Sequence, residues 1–234
     1  MFGILKALVP KPVVPLPKLT TPSAADLAAK FKPQPPAAAL LKPGMTSSEY
    51  IHALEQNKMP NDTVNALAHG MPEKDSVSWA CQSSRKVEGK LNPADKTALD
   101  AAEAWVKNPT DATKAAAGEA AGKANMKGPG GWAAQAAAWS SPAPAAPAAP
   151  GAPAVAAPSL TAPAVAGAVL LAAGLMKAPA MPDTPRVDPL KAPALPAVPG
   201  AQPPPPPEVP APDQNKLATM LQPFIDLGKT IAAG

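Results

Sequence analysis

The chain has 234 residues and a formal net charge of +4, and 36 of its residues are proline. Because proline fixes φ and removes a backbone donor, the proline-dense stretches are excluded from helices and central strands. The single cysteine excludes an intrachain disulfide. Alanine is abundant and β-branched residues are sparse, so we predict an all-α fold: a small helical bundle with a discontinuous chain and Pro/Ala-rich linkers.

Residues 1–44 are predicted to form a disordered, basic, proline-rich tail. Six lysines face one acidic residue over residues 1–42, which suits contact with an anionic surface or an acidic partner, or simple solvation. The tail has no arginine and only two aromatic residues, so no nucleic-acid partner is expected. Ile4, Leu5 and Leu8 share one helical face and form a candidate docking motif, unless they have no binding role at all.

Residues 45–141 are predicted to form a helical domain. Thr46 is followed three residues later by a glutamate, which is the spacing of a capping box. Asn92 precedes a proline suited to a first helical turn, and Thr110 can cap an alanine-rich helix. Tryptophan brings a large apolar area, so four residues of this domain are candidate core anchors: Trp79, Trp105, Trp132 and Trp139.

A Pro/Ala linker over residues 142–159 precedes an apolar helix over residues 160–176. The helical part has about 15 residues and a length of about 22 Å, whereas a bilayer core requires about 30 Å. We therefore predict that this helix packs on the domain, with Val169 as a further core anchor. The alternative is a membrane-associated protein in which residues 152–176 are inserted and the basic tail lies on anionic lipid.

A second proline-rich linker is predicted over residues 177–212, followed by a C-terminal helix over residues 213–234. Pro223 lies inside this last element, so a kink or break is expected near Gln222. The C-terminal helix cannot bury its own apolar face. The tryptophan-rich domain is the nearest surface on which it can pack.

The chemistry-bearing residues form no convincing catalytic or metal-binding pattern. His52, His69 and Cys81 lack the paired spacing of zinc sites. Cys81 falls on an apolar helix face, which favours a buried thiol over a nucleophile. Ser83 and Lys86 have an S-x-x-K spacing, but the further motifs of acyl-transfer enzymes are missing. We therefore expect no enzyme, no cofactor and no metal site.

Several stretches occur in a familiar order: "DSVSWACQSSRK" (75–86), "DAAEAWVKNPTDATKAAAGEAA" (100–121) with "GWAAQAAAWS" (131–140), and "LTAPAVAGAVLLAA" (160–173) with "PFIDLGKTIAAG" (223–234). Together they resemble an uncharacterised bacterial family of small all-α proteins. The resemblance implies one discontinuous helical domain with no catalytic residues to carry over. It also implies genes that often lie beside type VI secretion components.

These expectations combine into a non-enzymatic helical accessory or adaptor protein, bacterial and cytoplasmic. Its folded part would bind an unidentified protein partner, with a link to a type VI secretion apparatus. The proline-rich segments would serve as spacers or as docking sequence for that partner. Membrane contact is less favoured than protein binding, because the apolar helix is too short to span a bilayer.

Overall fold

The structure is a computed structural model that describes residues 12–140, 159–177 and 214–234. Within these ranges the regular structure is helical, apart from one isolated antiparallel bridge between Ser23 and Thr46. The predicted all-α fold is therefore confirmed. In chain order the helices are α1 (Ala24–Phe31), α2 (Pro35–Ala38), α3 (Ser47–Gln56), α4 (Pro60–Gly70), α5 (Glu73–Arg85), α6 (Pro93–Lys107), α7 (Asp111–Ala124), α8 (Pro129–Ala138), α9 (Thr161–Lys177) and α10 (Gln214–Ala233).

Capping side chains determine where several helices begin. At the start of α3, the Thr46 hydroxyl accepts from the Glu49 amide, and the Glu49 carboxylate accepts from the Thr46 amide at 2.8 Å. Asn92 accepts from the Asp95 amide at 2.9 Å at the start of α6. Thr110 caps α7 in the same way. Each cap pairs a first-turn amide that has no partner within its own helix, as the sequence predicts.

The core lies where the alanine-rich helices α8 and α9 meet α5 and α6. Trp79 of α5 is fully buried, and Trp105 of α6 is 6% exposed. Alanine ends at Cβ, so the axes of α8 and α9 can approach each other and their neighbours closely. The buried alanines of these two helices are Ala133, Ala134, Ala136, Ala137, Ala164, Ala166, Ala168, Ala172 and Ala173.

A buried carboxylate fixes the start of α8 against α6. Asp95 is 1% exposed and accepts hydrogen bonds from the amides of Gly130 at 3.2 Å and Gly131 at 2.6 Å. These amides belong to the first turn of α8, so the carboxylate also complements the positive end of the helix dipole. A Cβ on Gly128 would lie 2.3 Å from an Asp95 oxygen, which explains why glycine occupies that position.

The N-terminal segment differs from the predicted disordered tail. Leu16 is 4% exposed, and Leu27 of α1 is fully buried in the main core. Ser23 caps α1, and the apolar residues of that helix recur at helical spacing. The prediction was wrong for residues 12–44 because it gave proline density more weight than this capped apolar pattern.

Backbone hydrogen bonds hold the extended part of this segment to distant helices. The Thr20 amide donates to the Gly70 carbonyl at the end of α4, at 2.8 Å. The Lys18 amide donates to the Ala232 carbonyl near the end of α10, at 3.0 Å. The segment therefore satisfies its donors on helix ends, where carbonyls lack intrahelical partners.

Three parts of the sequence lie outside the described residues. Residues 1–11 include the candidate docking motif of Ile4, Leu5 and Leu8. Residues 141–158 and 178–213 contain nearly all of the two predicted linkers. The interpretations of these parts stay predictions.

α10 is one continuous helix across Pro223, so the predicted break near Gln222 is not found. Proline removes the amide that would bond to the Thr219 carbonyl. Pro223 is exposed, so its ring faces away from the bundle. Packing of the opposite face against α4, α5 and α9 offsets the lost hydrogen bond. The large side chains of that face are at most 2% exposed: Leu221, Phe224 and Ile225.

Trp79 joins α5 to α10. Its indole Nε1 donates to the Phe224 carbonyl at 2.8 Å. A Cβ on Gly228 would lie 2.7 Å from the indole, so the ring occupies space that only glycine leaves open. A second link joins α10 to α3, where the Lys229 ammonium lies 2.9 Å from a Glu55 carboxylate oxygen.

Truncation of Leu27 tests whether α1 belongs to the folded unit. Leu27→Ala should lower the free energy of unfolding by about 2–5 kcal/mol, because the side chain is fully buried. Val13 lies in the same segment but is 41% exposed, so Val13→Ala should change it by less than about 0.5 kcal/mol. Denaturant titration of the full-length variants measures both values. Equally small effects would place α1 outside the cooperative unit.

Two glycine substitutions test the close contact between α5 and α10. Alanine favours a helix interior by about 0.5–1 kcal/mol over glycine, so Gly122→Ala in α7, where a new Cβ meets nothing within 4 Å, should stabilise the protein. Gly228→Ala should destabilise it, because the new Cβ requires the Trp79 ring to move. Thermal unfolding distinguishes the two. Stabilisation by both substitutions would refute the contact.

Candidate partner-binding surface

α9 packs in the bundle, as predicted for residues 160–176. Val165 and Val169 are fully buried, and the helix lies against α4, α5, α8 and α10. Within the part of the chain that the structure describes, no helix is both long enough and apolar enough to cross a membrane. One apolar face of α9 thus packs against four other helices.

The opposite face of α9 is also apolar, and it is exposed. Leu160, just before the helix, is 51% exposed, and Leu171 is 38% exposed. Leu160, Pro163, Gly167 and Leu171 recur at i, i+3, i+7 and i+11, so they form one stripe along the helix. Leu171 therefore points away from the packed face.

Two tryptophans adjoin this stripe: Trp132 lies in α8, and Trp139 directly follows the last residue of that helix. Trp132 is half-buried, and a Cβ added to Gly167 would lie 3.5 Å from its ring. Trp139 follows two turns later on the same face of α8 and is 38% exposed. The prediction of Trp139 as a core anchor was wrong, because α8 ends at Ala138 and Trp139 is its C-cap residue.

The antiparallel arrangement of α8 and α9 brings these positions into one surface. The Thr161 hydroxyl donates to the Ala136 carbonyl at 3.2 Å, so the start of α9 meets the end of α8. Trp139 therefore lies near Leu160, while Trp132 lies further along, beside Gly167. We define the α8–α9 apolar surface by six residues: Trp132, Trp139, Leu160, Pro163, Gly167 and Leu171.

The far end of α9 is also fixed by a side chain. The Lys90 ammonium, from the short 3-10 turn before α6, donates to the carbonyls of Leu175 and Met176. A cation at this position pairs carbonyls that end the helix and complements the negative end of its dipole. The α8–α9 apolar surface is therefore carried on a helix that is held at both ends.

A cleft of about 650 Å³ opens beside the Leu160 end of this surface, between α1, α4, α5 and the start of α9. Lys30, Lys32 and Glu73 are the charged residues among those that line it. Ser76 on its wall already donates its hydroxyl proton to the Ala68 carbonyl at 2.9 Å. The cleft therefore supplies a charged border to the α8–α9 apolar surface, which is the usual arrangement of a protein interface.

Comparison with known proteins identifies a family and no activity. The profile of a family of unknown function (DUF6931) matches residues 50–186, more than half of the chain. The chain belongs to this family. No curated protein and no solved structure matches the chain. This match confirms the prediction that the chain belongs to an uncharacterised family.

The DUF6931 segment contains the whole α8–α9 apolar surface. It begins within α3 and includes α4 to α9. Its bounds leave out α1, α2 and α10, so three described helices are additions to the DUF6931 segment of this chain. Two of these additions, α1 and α10, pack on α4, and α10 packs on α5 and α9 as well.

Burial sets the protonation states of two titratable residues in the DUF6931 segment. It raises the pKa of the Cys81 thiol to about 12, so the thiol stays protonated at neutral pH. The pKa of His69 is lowered to about 4, mainly by burial and to a lesser extent by the positive charge of Lys30. Among the described residues, no three His, Cys, Asp or Glu side chains are placed to hold a metal ion.

A salt-bridge cluster that the sequence reasoning missed joins α5 to α6. The Arg85 guanidinium lies 2.8 Å from Glu103, 2.5 Å from Asp100 and 2.8 Å from Glu88. Hydrogen bonds to Glu103, and then to Asp100, raise the pKa of Arg85 above its usual value. Only Glu88 stands at a revealing spacing, three residues after Arg85. Asp100 and Glu103 lie on α6, so no spacing in the sequence reveals their contact with Arg85 of α5. The exposed stripe of α9 was missed because α9 is apolar all round.

The neutral state of His69 predicts a pH dependence of stability. Its folded-state pKa lies below the unfolded value of about 6.5, so at lower pH the unfolded chain binds a proton that the folded chain does not. Stability should therefore fall as the pH decreases from about 6.5 towards 4. Urea titrations at about pH 7 and about pH 5 should show a smaller loss for His69→Gln than for the wild type. Equal losses would contradict the assignment.

Proposed function

We propose that this protein is a non-enzymatic helical adaptor whose folded body binds a protein partner through the α8–α9 apolar surface. The observation that carries the proposal is the joint exposure of three large apolar side chains. They are Trp139 at 38%, Leu160 at 51% and Leu171 at 38%. Contiguous apolar patches on folded proteins mark interaction sites. Tryptophan is also enriched among the residues that dominate binding energy.

The titratable residues support binding rather than catalysis. The Cys81 thiol is buried and protonated at neutral pH, whereas a nucleophilic cysteine requires an accessible thiolate. His69 is neutral because it is buried beside Lys30 and packs near the Phe31 ring, with 6.0 Å between ring centroids. Both residues contribute to packing, and neither belongs to the α8–α9 apolar surface.

We also propose that the protein is bacterial and cytoplasmic, and that its partner is a component of a type VI secretion apparatus. The support is the resemblance carried by residues 75–86, 100–121 and 160–173. The α8–α9 apolar surface includes several residues of the last of these stretches. A partner that contacts this surface would therefore bind residues that carry the resemblance.

The alternative is a membrane-associated protein with residues 152–176 inserted and the basic N-terminal tail on anionic lipid. The exposed side chains of Leu160 and Leu171 favour it, since they suit lipid as well as protein. The burial of Val165 and Val169 supports the adaptor instead. Insertion would require α9 to leave α5 and α8 and would expose the core of the bundle.

One charge placed on the α8–α9 apolar surface tests the proposal. Tagged full-length Leu171→Asp is compared with Met126→Asp, an equally exposed site outside this surface, in the native host. Leu171→Asp should lower the amount of co-purified secretion component at least about ten-fold, as expected when an interface hot spot is lost. Met126→Asp should leave that amount within about two-fold, measured by quantitative mass spectrometry.

The same experiment separates the alternatives. Equal recovery with both variants would refute the α8–α9 apolar surface as the binding site. Loss of a partner that is not a secretion component would support the adaptor and refute the link to secretion. A parallel binding assay with anionic vesicles tests the membrane-associated alternative. That alternative is supported if no protein partner is recovered and the wild type binds vesicles while Leu171→Asp does not.

A further inference from the structure

α10 lies in a groove formed by α4, α5 and α9. All three helices of the groove belong to the DUF6931 segment, whereas α10 does not. The buried residues of α10 recur at helical spacing: Leu221, Phe224, Ile225, Gly228 and Ala232. This is the helix-in-groove mode of recognition, in which an amphipathic helix lays its apolar face into a hydrophobic groove. The chemistry of a suitable ligand is therefore known, because α10 itself provides it.

Two contacts make the groove selective for such a helix. Trp79 donates to the Phe224 carbonyl at 2.8 Å and fills the space beside Gly228, so the residue one turn after that carbonyl must be glycine. Glu55 accepts two hydrogen bonds from the Lys229 ammonium, at 3.1 and 2.9 Å. These two side chains are 11% and 17% exposed, so the charge pairing is poorly screened by solvent.

The covalent connection between α10 and its groove is long. Residues 178–213, a stretch of 36 residues, separate the end of α9 from the start of α10. Such a stretch spans at most about 120 Å when fully extended. None of the groove contacts depends on which molecule supplies the helix. A neighbouring molecule can therefore present its own α10 to the same groove.

We infer that the groove accepts the C-terminal helix of a second copy of this chain, so that two molecules exchange α10 and form a closed two-fold dimer. Both grooves are filled in this dimer, and every contact of α10 is preserved between the chains. The monomer is favoured only because residues 178–213 tether α10 to its own chain. This tether holds the helix at an effective concentration on the order of mM. Crowding of the chains on an assembly would shift the balance towards exchange.

α10 is also the described helix best suited to leave its place. Pro223 removes one of its internal hydrogen bonds and divides its 20 residues into two parts, each shorter than the roughly 12–15 residues below which an isolated helix is marginal in water. α10 therefore forms with a groove rather than before it, whichever molecule provides the groove. The hydrogen bond from the Lys18 amide to the Ala232 carbonyl can be made between chains as well.

Charge reversal of the Glu55–Lys229 pair provides the test. In Glu55→Lys alone, and in Lys229→Glu alone, the groove and the helix carry like charges both within one chain and between identical chains. When the two full-length variants are mixed, each helix finds an opposite charge only in the groove of the other variant. In the exchanged pair, one groove holds Glu55 against Lys229. The other groove holds the lysine introduced at position 55 against the glutamate introduced at position 229, so both grooves pair opposite charges. Exchange should therefore produce a heterodimer with twice the 23.5 kDa mass of one chain.

Light scattering measures the outcome at chain concentrations of about 0.05 mM, well below the effective concentration of the tether, so that exchange between chains whose charges already pair internally stays rare. The mixture should contain at least about ten-fold more dimer than either variant alone. The double variant Glu55→Lys/Lys229→Glu is the matched control, and it should remain monomeric because its charges pair within one chain. A mixture with no more dimer than its separate components would overturn the inference.

A second readout keeps the test decisive if a single variant is poorly folded. Two dye-labelled peptides of residues 214–234, one with the natural sequence and one carrying Lys229→Glu, are added to full-length Glu55→Lys. The Lys229→Glu peptide should bind at least about ten-fold more tightly by fluorescence anisotropy. Binding of neither peptide would show that the groove does not accept a helix from another chain. Equal binding of both would place the peptides outside the contact between positions 55 and 229, and either result would overturn the inference.

Discussion

The buried indole of Trp79 is the contact on which the arrangement of the bundle depends. Trp79 lies on α5, which packs on α6, α8 and α9, and its N–H is donated to α10. Without α10 the apolar ring would be exposed to water, and its N–H would lose the Phe224 carbonyl as acceptor. The fold therefore requires a helix in this groove. It does not require that helix to come from the same molecule, and this is the physical root of the exchange that we infer.

α9 shows how one apolar helix can have two roles. Its buried face holds Val165 and Val169 among neighbouring helices, and its other face presents Leu171 beside the tryptophans of α8. The small residues of α8 and α9 allow close packing, so a thin layer of side chains suffices for the core. The remaining apolar positions are then available to a partner. A helix that is apolar on all sides thus need not be buried on all sides.

The sequence predicted well what depends on neighbours in the chain. The caps at Thr46, Asn92 and Thr110 and the all-α fold follow from spacing over a few residues. The sequence reasoning failed where contacts join distant residues. The Asp95 carboxylate anchors the glycine turn of α8 across 35 residues, and α10 continues as a helix through Pro223. The exposure of Trp139 was not foreseen either, because a propensity for burial says nothing about where a helix ends.

The additions to the DUF6931 segment explain why its apolar surfaces differ. α1 packs on α3 and α4, and α10 packs on α4, α5 and α9, so the described additions cover one side of the segment. They meet each other where the Lys18 amide donates to the Ala232 carbonyl. The α8–α9 apolar surface lies outside these contacts. One side of the segment therefore binds a helix that its own chain carries. The other side leaves Trp139 and Leu171 exposed. A partner bound there, as we propose, would not compete with α10 for the same residues.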